Sequence, residues 1–213
     1  MSITLIIIIL TVLISISALN NDKIMGDLIF YPPAVTNQKQ WYRFFTSGFL
    51  HADYIHLAFN MYGLYIFGKY VEEDFMRLFG DLGRLAYLLM YITSLFFCLL
   101  PTYTQNKTNS SYRSLGASGA VSAVIFAFIL LNPLVPMGIL FIPVRIPGFA
   151  FGLIFLILSS YLDRRGGGNV NHSAHIWGAL YGVAFLIIAC FAFSDYKPLS
   201  VFIDQVSMYF KSF

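Results

Sequence analysis

The sequence predicts an all-α polytopic membrane protein, a bundle of six transmembrane helices. Three observations predict it. Of 213 residues, 58% are hydrophobic and only 11% are charged, against roughly a quarter charged in ordinary soluble domains. The charges gather in clusters, leaving six charge-free stretches at 2–21, 54–68, 85–106, 114–144, 146–162 and 166–194. A spanning helix needs about 20 mostly apolar residues, with about 17 as the lower end. A soluble fold could not hide that much apolar surface.

The first span, 3–19, starts at Ile3 with no Lys or Arg ahead of it. A secretory signal would carry a basic segment there, and Ser15 and Ser17 make a poor cleavage site, so the run reads as a retained helix. The second span, 54–69, is short and extends through polar or snorkelling ends. The third covers 85–103, and the fourth runs over 117–131, before Asn132-Pro133. The fifth covers 147–162 and the sixth 174–193. Residues 1–193 thus form one membrane domain, and 194–213 a short C-terminal tail.

Six spans put both termini on one side. That side carries Lys69, Arg77, Arg84, Arg145, Lys197 and Lys211, and the other Lys23, Lys39, Arg43, Lys107, Arg113, Arg164 and Arg165. The two sets are nearly equal, so the positive-inside rule does not decide orientation. A net charge of +3, dispersed along the chain, excludes nucleic acid as a partner. Cys98 and Cys190 both fall in apolar spans without metal-site spacing, which excludes a disulfide framework.

Polar residues at membrane depth are expensive and default to a functional reading. His56 and Asn60, four apart at the start of the second span, share one helical face, with His51 just ahead at the water interface. Ser118 opens the fourth span, near unsatisfied backbone N–H groups and the positive end of the helix dipole. That place suits stabilisation of an oxyanion. His175 opens the sixth span after Gly166-Gly167-Gly168-Asn169, flexible by composition, and histidine is the usual general base at neutral pH. Gly119, Ala123 and Ala127 make a small-residue stripe, and Gly178 and Gly182 another, which lets membrane helices approach closely.

Each feature has a plainer reading. A lone Gly-x-Ser-Gly is usually a packing contact, and a lone interfacial histidine a structural one; His172 reads as an ordinary loop residue. The weight lies in coincidence: all four histidines stand at the front of the second or sixth span.

Together, His51-x4-His56-x3-Asn60, Gly116-Ala117-Ser118-Gly119 and Ala174-His175-Ile176-Trp177-Gly178-x3-Gly182 resemble the rhomboid family of intramembrane serine proteases. The resemblance extends from Trp41 to Phe193, and Gly68, Glu72, Gly80 and Arg84 resemble the family's turn between its second and third helices. It implies Ser118 as nucleophile and His175 as general base, a dyad without a carboxylate. The oxyanion hole would comprise the Ser118 N–H with the side chains of His56 and Asn60, and Gly116, Gly119, Gly178 and Gly182 would pack helices at the site. Substrates would be transmembrane proteins cut near the outer membrane face, at small residues in a locally unwound helix. No metal or organic cofactor is implied, and water is the second substrate.

By the same resemblance, residues 21–50 form an interfacial first loop, 166–173 a cap with Val170 as lid, and the fifth helix a side gate. The termini would be cytoplasmic, and the compact chain suggests a bacterial plasma membrane. Two departures stand out. Tyr42-Arg43 replaces the family's Trp-Arg pair, with Trp41 one position early, and Ser122 stands where bacterial members often carry an aromatic against the catalytic histidine. The alternatives are a non-catalytic relative that binds membrane clients, and a transporter or channel. The first should lack the serine or histidine, and the second should show broken helices in paired halves.

Overall fold

The computed structural model describes residues 2–138, 144–166 and 170–212. Helices cover all six apolar runs: α1 (Ile3–Leu19), α5 (Tyr54–Phe79), α6 (Gly83–Phe97), α8 (Ser118–Leu131), α9 (Gly148–Arg165) and α10 (His172–Phe193). Shorter helices connect them: α2 (Asp22–Leu28), α3 (Pro32–Gln38) and α4 (Arg43–Thr46) before α5, and α7 (Leu100–Asn106) after α6. The predicted tail holds one more, α11 (Pro198–Lys211). Two two-residue strands, β1 (Pro136–Met137) and β2 (Ile146–Pro147), pair antiparallel ahead of α9. The helical stretch 54–106 and α10 are each long and apolar enough to cross a membrane, while α1 and α8 are shorter apolar helices.

Helix ends depart from the sequence reading where local chemistry intervenes. α5 runs ten residues past the expected 69 and stops at Gly80, whose φ of +56° suits glycine. The third run breaks after Phe97, because Pro101 has no N–H to donate to its carbonyl and α7 restarts around it.

α8 is the centre of the bundle, buried on nearly every side below Ser118. α10 lies closest to it. A Cβ on Gly178 would stand 2.0 Å from the Gly119 carbonyl oxygen, and one on Gly182 would stand 2.1 Å from that of Ala123. The two backbones therefore touch, as the small-residue stripes predict. At the other end of the molecule, Ser2 makes no side-chain cap on α1, and the Glu72 carboxylate takes over the task. It accepts from Ile3 N at 2.8 Å, Thr4 N at 3.0 Å, Ser2 Oγ at 2.5 Å and Thr4 Oγ1 at 2.9 Å. This fastens α1 to α5 by satisfying the orphan donors of a helix start.

The first loop is a folded unit. Arg43 is buried and donates through Nη1 to the carbonyls of Gly26 (2.9 Å) and Ile29 (2.6 Å). Tyr42 Oη donates to Asp27 O at 3.2 Å, and Trp41 stacks on Phe44 with centroids 5.8 Å apart. Trp41 and Tyr42 thus divide the anchoring of this loop between them.

Candidate active site

Two helix starts meet here. Ser118 is the first residue of α8 and His175 the fourth of α10. Ser118 Oγ stands 2.7 Å from His175 Nε2. The glycine contacts described above bring the two starts to this distance. Gly119 also has Cys98 Sγ only 2.5 Å from where its Cβ would be, so any side chain there would push α8 away from its neighbours.

The head of α10 is fixed by a residue the sequence reading did not single out. Asn171 is its N-cap, accepting from Ala174 N at 3.0 Å. Its Nδ2 donates to Thr102 Oγ1 (3.1 Å) and Ser114 Oγ (3.3 Å), tying α10 to α7 and to the segment before Ser118. An asparagine just ahead of an apolar run is a legible cap signal, but its cross-chain partners are not legible.

α5 supplies the opposite wall. Asp53 caps it, accepting from His56 N at 2.7 Å. His56 Nδ1 faces the Ala52 N–H at 3.5 Å, which leaves the proton on Nε2 as a donor. Asn60 Nδ2 donates one hydrogen to His56 O at 3.0 Å, and an amide carries a second. His56, Asn60, Ser118 and His175 line one open cavity of about 680 Å³, with Val170 and Gly116 among its other walls. Gly116 was expected as a helix-packing glycine. Instead it lies in the loop ahead of α8 at φ +122°, where a Cβ would stand 3.1 Å from His56 Cε1.

Two other histidines stand differently from expectation. His51 is fully buried rather than at the water interface, with Nδ1 3.2 Å from Ser15 Oγ on α1. Burial pushes its pKa down to about 3, with His56 adding to the effect and Asp53 opposing it. His172 is the first residue of α10 rather than loop, its ring 5.8 Å from that of His175. Residues 167–169 of the expected cap lie outside the described residues.

Among the described residues, the Ser118 contact is the one hydrogen bond of the His175 ring. Ser122 lies buried one turn below Ser118, and the aromatic neighbour comes from another helix. Phe155 of α9 faces His175 with ring centroids 6.2 Å apart at 31°. A hydroxyl held against an imidazole, opposite donors left free among the described residues, is an arrangement chemically able to activate a nucleophile beside an oxyanion site.

The Rhomboid domain profile matches residues 38–191. The chain belongs to the rhomboid family. It is therefore an integral membrane protein of helical polytopic fold. Among its rhomboid relatives is RHOMBOID-like protein 12, mitochondrial, of Arabidopsis thaliana, 33% identical over 63% of this chain and 42% of that protein. Rhomboid-like protein 11, chloroplastic, of the same plant is 32% identical over 70% of this chain and 53% of its own length. Rhomboid protease GlpG of Haemophilus influenzae is 25% identical over 76% of both chains. The chain spans about half the length of the two plant relatives. Some rhomboid relatives are thus named proteases and others only rhomboid-like.

Proposed function

We propose that the chain is an intramembrane serine endopeptidase that hydrolyses peptide bonds of transmembrane proteins through Ser118 and His175. The observation that carries this reading is the 2.7 Å approach of Ser118 Oγ to His175 Nε2 in a cavity shared with His56 and Asn60. His175 Nε2 takes the hydroxyl proton as Ser118 Oγ bonds to the scissile carbonyl carbon. The resulting oxyanion accepts from the Ser118 N–H, His56 Nε2–H and the second Asn60 amide hydrogen. His175 then gives its proton to the leaving nitrogen, the C–N bond breaks, and a Ser118 ester remains. Water, deprotonated by His175, hydrolyses that ester and returns the serine.

A helical substrate keeps its carbonyls hydrogen-bonded, so the segment to be cut must unwind before attack. The reading favours small residues in a locally unwound segment, entry beside α9, and a cavity facing outward with the termini in the cytoplasm. A bacterial plasma membrane is the proposed setting. The test is cleavage of a single-span substrate in proteoliposomes by the native chain, Ser118→Ala and His175→Ala. Cutting by the native chain alone is expected. Equal behaviour of all three folded proteins across several substrates overturns the reading in favour of client binding without catalysis.

A further inference from the structure

α11 follows α10 after only residues 194–197, so it must begin where α10 leaves the bundle. His175 lies near the other end of α10, about 27 Å away at about 1.5 Å per residue. α11 is too short to span a bilayer and carries Asp204 midway. Most of its surface divides into three parallel ridges, with Gln205 and Met208, the latter exposed at 61%, outside them. Val201, Phe202, Val206 and Tyr209 are partly covered by the protein. Beside them Leu199, Ile203 and Phe210, spaced four and seven apart, are exposed at 51%, 55% and 63%. The next ridge, Ser200, Asp204, Ser207 and Lys211, is exposed and polar throughout.

We propose that α11 lies flat in the interface of the bilayer that holds the bundle, on the face opposite the Ser118–His175 cavity. Leu199, Ile203 and Phe210 sink among the acyl chains, and the Ser200–Lys211 ridge faces water. A strongly two-faced helix of modest overall hydrophobicity takes this position. Continuity with the bundle's outer surface identifies lipid as the occupant. Phe149, in the first turn of α9, packs on Tyr209 and Phe210 with centroids 5.7 Å apart in each case. One turn further along, α9 exposes Leu153 and Ile154. The apolar ridge of α11 thus prolongs the lipid-facing side of α9, and its membrane seat holds the start of that helix.

The experiment is nitroxide labelling of single cysteines at 199, 203, 210, 200 and 207 of the full chain in phosphatidylcholine–phosphatidylglycerol vesicles. Cys98 and Cys190 are buried, and the parent chain, checked for label uptake, sets the background. Collision with oxygen and with an aqueous nickel chelate is then measured. Labels at 199, 203 and 210 should favour oxygen several-fold, and those at 200 and 207 nickel. Equal nickel access at both ridges overturns the proposal. So does protection of the apolar ridge from both reagents in a protein that elutes as a dimer, since a second copy would then cover it. Neither readout depends on proteolysis.

Discussion

The Phe155 ring of α9 stands against the imidazole of His175, centroids 6.2 Å apart. The His175 ring makes no hydrogen bond besides that to Ser118 among the described residues, so its orientation rests on packing by Phe155 and His172 and on the Asn171 cap. Ser122, one turn below Ser118, is too small to contribute a ring contact of this kind.

Phe155→Leu should lower kcat while leaving KM nearly unchanged, and Phe155→Tyr should restore most of it. Aromatic pairs contribute about 0.5–1.5 kcal/mol beyond area, which corresponds to a loss of about two- to ten-fold. Proteoliposome kinetics as a function of pH provide the check. A positioning role shifts the acidic limb of the profile, whereas a purely structural role lowers the whole curve evenly.

His56→Ala and Asn60→Ala should each reduce kcat by about 10²–10³, the usual cost of one oxyanion donor. Binding of an uncut substrate should persist in both. Single-turnover cleavage beside fluorescence binding separates the two effects. Loss of binding with an unchanged single-turnover rate would remove these residues from the oxyanion site.

Gly178→Ala places a methyl 2.0 Å from the Gly119 carbonyl oxygen, a backbone atom that cannot swing aside. α8 and α10 must separate, at a cost of about 1–3 kcal/mol or more, and the Ser118–His175 distance must grow with them. A lower Tm in detergent together with lost cleavage is expected. Gly26→Ala, with nothing within 4 Å of its Cβ position, is the control and should leave both unchanged.

His51 links stability to pH. Its folded pKa is lowered from 6.5 to about 3, so between those values the unfolded chain binds a proton that the folded chain refuses. Stability therefore falls as pH drops from 6.5 towards 3. Thermal unfolding in detergent from pH 8 to pH 4 should show Tm declining below pH 6.5, and His51→Gln should flatten the decline. An unchanged slope in the variant would assign the effect to other groups.

The membrane fold, the six apolar runs and the four polar residues of the site were legible in the sequence. Lipid imposes this, because it forces helices to be long and apolar and makes each exception conspicuous. The close glycines of α8 and α10 were legible for the same reason, since a small-residue stripe has few other uses in a membrane. The tertiary structure alone decided that His51 is buried against Ser15, that Glu72 caps α1 across 69 residues of chain, and that Phe155 faces His175. It also turned the expected tail into α11, packed on Phe149. These contacts join side chains that no sequence period connects. Their partners are set by how whole helices cross, and that geometry arises only when every interface of the bundle is packed at once.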